Sequence, residues 1–298
     1  MTVGLILSGL SAFPITPMDG RGRIDPAVLE RLVARLAGGG ARSIGLLGST
    51  GSQAYLPRAA RAEAVAAAVG AARGLPVAVG VGAPALAEVL ENIADAAGAG
   101  AAAALLAPVT YQPLREEEVF ALYRLVSDEA ALPVILYNNP GTTKVTFSPA
   151  LIARIGALPG VVAVKMPPRP DPAEEIAGLR AALPQTVALG YSGDARITGA
   201  LRAGVDLWFS VLGGLFPEIC AAMMSAARAG AEADLAALDA RLAPLWRVFD
   251  ASGSYRVMHA AAEMAGYGPT PPPLPLLALE GEERAAVAAA LKQAELLV

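Results

Sequence analysis

A lysine stands at the end of one apolar run of this sequence. Residues 161–166 are Val-Val-Ala-Val-Lys-Met, and Lys165 is one of only three lysines among 298 residues. Alternate side chains of a strand share a face, so Lys165 is expected on the same face as Val161 and Ala163. Burial among apolar neighbours lowers the pKa of a lysine, and the free amine can attack a carbonyl carbon to form an imine. The alternative is a structural lysine whose ammonium reaches solvent at the rim of the fold.

A second apolar run ends in a turn that combines glycines with hydroxyl side chains. Residues 47–52 are Leu-Gly-Ser-Thr-Gly-Ser. Gly48 and Gly51 permit a tight turn, in which Ser49 and Thr50 place hydroxyls beside free backbone N–H groups. Such a concave turn suits a small anion such as a carboxylate. It is not a P-loop, because no Gly-Lys-Ser/Thr follows. The alternative is an ordinary polar turn.

A third run ends in a tyrosine. Residues 135–143 are Ile-Leu-Tyr-Asn-Asn-Pro-Gly-Thr-Thr, in which Tyr137 shares a strand face with Ile135 and turn residues follow. A phenol near Lys165 can act as a general acid or base, or donate a hydrogen bond to a developing oxyanion. The alternative is a core tyrosine with a satisfied hydroxyl.

These three segments belong to a regular alternation of strands and helices. Short apolar runs occur at 5–13, 43–49, 75–81, 102–108, 132–138, 161–166, 186–192 and 206–212. They are continuous rather than alternating, as expected of parallel strands covered on both faces. Eight strand–helix units predict a (β/α)8 TIM barrel, whose active site lies at the carboxyl ends of the strands. An open, doubly wound sheet is the alternative, because alternation alone does not show closure.

Helical stretches follow the strands, and more helices follow the barrel. The stretches predicted to be helical are 26–39, 57–73, 84–99, 115–130, 148–157, 172–182, 193–203, 214–229, 231–250, 253–266 and 281–296. Several begin with a proline near the first turn, where its missing N–H costs nothing. The pattern predicts a catalytic barrel over 1–229 and a helical C-terminal extension over 230–298.

Composition excludes several classes of protein. Hydrophobic residues make up 55% of the chain, but the longest apolar run, 62–87, is broken by arginine, glycine and proline and does not predict a membrane-spanning helix. The first residues lack the basic start of a signal peptide. A net charge of −4 with scattered arginines argues against nucleic-acid binding. The single cysteine, Cys220, fits a reducing cytoplasm.

The sequence also argues against metal and dinucleotide cofactors. His259 is the only histidine, so no His/Cys cluster is available for zinc. Residues 80–85 contain a loose Gly-x-Gly-x-x-Ala fingerprint, but no acidic residue ends the next strand, where a ribose-binding carboxylate is expected. An NAD-dependent oxidoreductase is therefore a weak alternative.

Taken in order from about residue 8 to 270, these segments resemble the dihydrodipicolinate synthase / N-acetylneuraminate lyase family of class I (Schiff-base) aldolases. Gly-Ser-Thr-Gly-Ser resembles the family's carboxylate-binding turn, Tyr-Asn-Asn-Pro its tyrosine segment, and Val-Val-Ala-Val-Lys its imine-forming strand. Residues 192–217 resemble the last two barrel strands. The resemblance implies a (β/α)8 barrel, no metal or organic cofactor, and a homotetramer or dimer.

The resemblance also implies a mechanism. Lys165 would condense with C2 of pyruvate or another 2-oxo acid, and a C3–C4 bond would then break or form through an enamine. Tyr137, with Ser49 in a relay, would move protons. The residues implied to bind substrate are Gly48, Ser49, Thr50, Gly51 and Ser210.

Several positions depart from the family pattern. Thr142 stands where dihydrodipicolinate synthases carry an arginine, and Val109 and Thr110 replace an aromatic pair, with Tyr111 shifted by one. The usual glutamate of the turn is Ser52. After the lysine, the sequence Met-Pro-Pro-Arg169 replaces a small or hydroxyl residue and a Gly-Asp. Where sialic acid lyases have acidic residues after strand seven, only Asp194 remains.

These departures remove charged anchors for the second substrate. We therefore expect a less polar or smaller acceptor, such as a sugar-acid-derived 2-keto-3-deoxy acid or an aldehyde that condenses with pyruvate. Dehydration of a 2-keto-3-deoxy sugar acid, a dihydrodipicolinate synthase-type condensation and a non-catalytic protein that binds 2-oxo acids are the alternatives.

Overall fold

Eight short parallel strands close into a barrel. The structure is a computed structural model, and it describes residues 7–297. The strands are β1 (Gly9–Ala12), β2 (Ser43–Leu46), β3 (Val77–Gly80), β4 (Ala103–Leu106), β5 (Val134–Tyr137), β6 (Val161–Met166), β7 (Ala188–Ser192) and β8 (Leu207–Ser210). Strands β1 and β8 pair, which closes the sheet. The predicted (β/α)8 barrel is confirmed, and the open sheet is wrong. Residues 5 and 6 of the first predicted run lie outside the described residues.

The barrel interior is filled by alanines, by larger aliphatic side chains such as Leu105 and Ile135, and by three aromatic rings. Interior positions on four strands are alanines: Ala78, Ala103, Ala163 and Ala188. Phe13, Tyr137 and Phe209 stand at or near the carboxyl ends of their strands, and the rings of Phe13 and Phe209 meet edge to face with centroids 5.8 Å apart. Almost every strand residue is buried because helices cover the outer face, which explains the continuously apolar runs.

Helices surround the barrel. They are α1 (Pro26–Gly38), α2 (Arg58–Ala71), α3 (Leu86–Gly98), α4 (Glu116–Glu129), α5 (Pro140–Thr143), α6 (Pro149–Gly156), α7 (Ala173–Ala182), α8 (Ile197–Arg202), α9 (Pro217–Arg228), α10 (Glu232–Ser252), α11 (Ser254–Ala262) and α12 (Gly281–Gln293). Within residues 7–297, none of these helices is long and apolar enough to cross a membrane.

Local chemistry sets where some of these helices begin. The carboxylate of Asp25 accepts a hydrogen bond from Val28 N (3.1 Å), and a proline follows at the first helical position of α1. Ser148 caps α6 in the same way. The one-turn helix α5 was expected to be a turn, and the segment expected as one helix over 193–203 begins with a 3-10 turn at Asp194–Arg196.

The C-terminal helices pack on the barrel and against one another. Buried residues of α10 and α11, such as Leu242 and Val257, belong to the same apolar core as the outer face of the strands. The side chain of Thr270 donates to His259 O (3.0 Å), while His259 Nδ1 lies 2.6 Å from Thr270 O, so α11 holds the proline-rich segment beside it. The predicted division at residue 229 stays a prediction.

We expect Gly80→Ala to destabilise the fold strongly. A Cβ at Gly80 would lie 1.8 Å from the carbonyl oxygen of Leu47, in the turn that follows β2, and backbone cannot yield there. Overpacking of this kind should lower the free energy of unfolding by about 2 kcal/mol or more in a urea titration. Gly178→Ala is the matched control, because nothing lies within 4 Å of the added carbon in α7, and helix propensity should make it neutral or slightly stabilising. Equal stability of the two variants would contradict the prediction.

Candidate active site

Lys165 is enclosed at the carboxyl end of β6. Its side chain is 4% exposed, and Nζ lies 3.9 Å from the ring centroid of Tyr137 and 5.6 Å from those of Phe13 and Phe209. Burial lowers the pKa of Lys165 below its ordinary value, and the neighbouring Tyr137 and Asp194 only oppose this shift. The amine is therefore nearer to its free, nucleophilic form than a lysine in water.

Strand register brings Tyr137 beside this amine. In the pairing of β5 with β6, Tyr137 lies opposite Lys165, after an irregularity between Val134 and Ile135. Neighbouring residues of parallel strands in register point to the same side of the sheet. Both side chains consequently enter the barrel at the same height, as strand alternation predicts for Lys165.

Two polar side chains contact the phenol oxygen of Tyr137, and a third is bound to one of them. Its hydroxyl lies 3.1 Å from Ser49 Oγ, and Asn139 Nδ2 donates to the same phenol oxygen at 2.9 Å. The Asn139 amide nitrogen is also 3.1 Å from Ser49 Oγ and 2.9 Å from Thr142 Oγ1. Because this nitrogen only donates, the phenol oxygen accepts from it and can direct its own proton to Ser49. The arrangement is a route for a proton between the site and Ser49.

Sequence reasoning treated Asn139 as a turn residue and missed its position. Its side chain projects from the loop after β5 back over Tyr137, two residues earlier. A polar residue two positions after an inward tyrosine was the only signal available, and it is weak because asparagine is also a common turn residue.

The turn after β2 presents two hydroxyls to a cavity at this end of the barrel. Ser49 and Thr50 both line the cavity, whose volume is about 330 Å³. Gly48 and Gly51 are not on its wall; a Cβ at Gly48 would press on the ring of Phe13, and one at Gly51 on the backbone of Leu47. These glycines therefore allow the turn to pack closely, and the hydroxyls face the open space.

A tyrosine from the C-terminal helices reaches the same turn. Tyr255 OH, on α11, lies 2.7 Å from Ser52 Oγ, and the ring of Tyr255 packs against His259 with centroids 4.8 Å apart. Ser52 and Tyr255 are 203 positions apart in sequence. No local pattern could have indicated this contact, and sequence analysis missed Tyr255.

Asp194 is a buried carboxylate on the cavity wall. Its Oδ1 accepts from Trp208 Nε1 (2.8 Å) and its Oδ2 from Leu212 N (2.7 Å). Burial raises the pKa of Asp194 to about 6, although both hydrogen bonds favour the charged form. Both oxygens accept hydrogen bonds and the side chain is buried, so Asp194 fixes the loop after β8 and adds a negative charge near Lys165.

The structure does not bring Ser210 to the cavity. Its hydroxyl is fully buried, accepts from Gly213 N (2.8 Å) and lies 3.5 Å from Cys220 Sγ. Its neighbours Phe209 and Val211 line the cavity instead. Side chains alternate along β8, so an inward Phe209 turns Ser210 outward, toward α9.

The other positions that depart from the family pattern fall on different surfaces. Thr142 lines the cavity. Thr110 does not, and its hydroxyl donates to the nearby carbonyl of Gln112. Arg169 pairs with Glu175 at 3.2 Å, away from the cavity wall. Within residues 7–297, no cluster of three or more His, Cys, Asp or Glu side chains could hold a metal ion.

A family model matches almost the whole chain. The model described as the dihydrodipicolinate synthetase family matches residues 6–294. The chain belongs to this family. It is therefore an enzyme of the class I aldolase type, which breaks or forms a carbon–carbon bond.

Comparisons with individual proteins support the assignment of this chain to the family. The 4-hydroxy-tetrahydrodipicolinate synthase of Methylococcus capsulatus is 34% identical over 284 residues, which are 95% of this chain and 97% of the relative. A crystal structure of a dihydrodipicolinate synthase from Agrobacterium tumefaciens is 43% identical, with a TM-score of 0.95 and coverage of 98% and 99%. A structure of a putative dihydrodipicolinate synthetase from Pseudomonas aeruginosa is 30% identical, with a TM-score of 0.90 and coverage of 97% and 99%.

We expect Lys165→Met to stabilise the folded enzyme at neutral pH. Lys165 has a lowered pKa in the folded state, so the unfolded chain binds more protons, and the unmodified enzyme gains stability as the pH rises toward the ordinary lysine value. The variant lacks this dependence. Its free energy of unfolding in urea should exceed that of the unmodified chain at pH 7, and the difference should shrink toward pH 10.

Lys144→Met is the control for this experiment, because Lys144 is exposed and loses the same charge. It should show no gain of this kind. A Lys165→Met variant less stable than the unmodified enzyme at pH 7 would contradict the prediction.

Proposed function

We propose that this enzyme forms an imine between Lys165 and C2 of pyruvate or a related 2-oxo acid. The observation that carries the proposal is a buried amine of lowered pKa, 3.9 Å from the ring centroid of a tyrosine, at the carboxyl end of a barrel strand. The amine attacks C2, the carbinolamine loses water, and a protonated imine remains on Lys165.

The hydroxyls around the amine have separate tasks in this proposal. Ser49 and Thr50, with the N–H groups of their turn, hold the substrate carboxylate. Tyr137 gives and takes the protons that carbinolamine formation and water loss require, and passes them to Ser49 at 3.1 Å. Asn139 is a positioning residue, because it keeps the phenol oxygen turned toward Ser49.

The protonated imine then allows chemistry at C3. It withdraws electrons from the C3–C4 bond, which breaks as the C4 hydroxyl gives its proton to Tyr137, leaving an aldehyde and the enamine of pyruvate; the reverse sequence forms the bond. Dehydration begins instead with removal of a C3 proton, which leaves an enamine that still carries C4, and the C4 hydroxyl then departs as water after accepting a proton. Lyase and dehydratase reactions therefore share every residue up to the protonated imine.

Beyond the 2-oxo acid group, we propose that the substrate carries a neutral hydroxylated portion, as in a 2-keto-3-deoxy sugar acid or in the hydroxyaldehyde that condenses with pyruvate. The outer cavity wall carries hydroxyls of Thr142, Ser192, Ser254 and Tyr255. Hydroxyl groups both donate and accept, which suits a polyol. Dihydrodipicolinate synthase-type condensation is the second candidate, because a relative that bears that activity in its name is 34% identical over nearly the whole chain.

We also propose that the enzyme assembles as a homo-oligomer, a tetramer or a dimer. The family resemblance implies such an assembly, and Tyr111, in the loop after β4, is 94% exposed and of a residue type that is enriched where protein surfaces meet. Light scattering on the purified enzyme distinguishes the two assemblies from a monomer.

The imine is tested by borohydride reduction with pyruvate and peptide mass spectrometry. We expect a reduced pyruvyl adduct on Lys165, none on Lys144, and none in a Lys165→Arg variant. Tyr137→Phe should slow labelling by about 10²-fold, because the proton transfers lose their acid and base. Pyruvate bound to the folded protein without an adduct, and bound equally well after Lys165→Ala, would instead identify a non-catalytic 2-oxo-acid-binding protein.

The substrate class is tested by comparing kcat/KM values. We expect 2-keto-3-deoxy sugar acids, or pyruvate with neutral hydroxyaldehydes, to react faster than pyruvate with aspartate semialdehyde. Thr142→Arg supplies a cation on the cavity wall, and should raise the relative kcat/KM for aspartate semialdehyde by about tenfold. A screen in which only the condensation with aspartate semialdehyde was fast would reject the neutral substrate and favour the second candidate.

A further inference from the structure

An ion pair stands on the wall of the cavity that contains Lys165. Arg196, in the 3-10 turn after β7, binds Asp250 on α10 through two hydrogen bonds, Nη1 to Oδ1 at 2.9 Å and Nη2 to Oδ2 at 3.2 Å. Both residues line the cavity, and their side chains are about half exposed. The pair joins the barrel loop to the C-terminal helices across 54 positions of sequence.

Of the charged groups on the cavity wall, this pair has the most hydrogen-bonding capacity left for a ligand. Among the described residues that line it, the other charged side chains are Lys165, which is proposed to hold the imine, and Asp194, which is only 2% exposed and is bound to Trp208 and Leu212. The two contacts with Asp250 use two of the five N–H donors of Arg196, and Asp250 keeps lone pairs free. The Arg196–Asp250 pair therefore offers hydrogen-bond donors and acceptors side by side and carries no net charge.

We propose that the Arg196–Asp250 pair is a specificity determinant that favours a hydroxylated substrate tail over a tail ending in a carboxylate. This inference rests on the proposed imine, since it concerns the far end of a molecule held at Lys165. A hydroxyl can accept from Arg196 and donate to Asp250 at once. A carboxylate finds the arginine charge already compensated and meets the negative charge of Asp250, which costs free energy.

The proposal gives Asp250 a repulsive role that a mutation can remove. Asp250→Asn keeps an oxygen acceptor for Arg196 but removes the negative charge, so Arg196 becomes an uncompensated cation facing the cavity. Charges that are half exposed interact weakly, and we therefore expect effects of about five- to tenfold rather than thousands.

The experiment measures borohydride labelling of Lys165 by two 2-oxo acids of five carbons. One is 2-oxoglutarate, which ends in a carboxylate, and the other is a 2-keto-3-deoxypentonate, which ends in hydroxyls. Labelling reports the imine alone and does not depend on whether the later step is cleavage or dehydration. The readout is the ratio of the two concentrations that give half-maximal labelling.

In the unmodified enzyme we expect the hydroxylated acid to label at the lower concentration. Asp250→Asn should shift the ratio about five- to tenfold toward 2-oxoglutarate, and adding Arg196→Gln to it should abolish that shift. Asp95→Asn is the matched control: it removes the same charge from a bidentate pair with Arg58 that does not line the cavity, and should leave the ratio unchanged.

The outcomes separate this inference from the proposed function. Labelling by pyruvate with a ratio that Asp250→Asn moves by less than twofold would overturn the role of the pair and leave the imine in place. A shift of equal size in Asp95→Asn would also overturn it, because the effect would then be one of overall charge. Absence of any pyruvate adduct in the unmodified enzyme would overturn both.

Discussion

The exclusion of water from a single amine organises the carboxyl end of this barrel. Lys165 Nζ lies within 5.6 Å of three aromatic ring centroids, and burial lowers its pKa. An ammonium in this place gives up its hydration, and the ring faces and the charge of Asp194 restore only part of that loss. Three rings can meet around one atom because a closed barrel makes the inward residues of β5, β6 and β8 and of the loop after β1 converge. The lowered pKa of the amine therefore depends on the closure of the sheet.

The polar side chains near the amine form a hydrogen-bonded series that begins at Tyr137. Tyr137 is nearest, Ser49 and Asn139 follow at hydrogen-bond distance from its hydroxyl, and Thr142 is bound to Asn139. All four side chains are neutral, so they form hydrogen bonds near the amine without adding a full charge that would stabilise the ammonium. The charged side chains of the wall are kept in partnered form: Asp194 with Trp208, and Arg196 with Asp250.

Strand alternation and the rule that barrel active sites lie at the carboxyl ends of strands were sufficient to predict that Lys165, Tyr137 and the Ser49–Thr50 turn approach one another. Those inferences need only local sequence. The family resemblance implied that Ser210 binds substrate. Strand alternation places its side chain outward instead, because the neighbouring Phe209 points into the barrel. Asn139, Tyr255, Arg196 and Asp250 could not be predicted, because each is brought to the site by a loop path or by helix packing. The contact between Ser52 and Tyr255 spans 203 positions and leaves no period in the sequence.

Helices α10 and α11 contribute to the cavity wall from a part of the sequence far from the strands that carry the amine and the phenol. The amine and phenol are encoded between residues 134 and 166, whereas Phe249, Asp250, Ser254 and Tyr255 are encoded more than 80 positions later. The later stretch shapes the cavity wall and contributes no residue to β5 and β6, the strands that carry the phenol and the amine. The sequence of this part of the cavity wall can therefore vary independently of the two strands that hold the amine and the phenol.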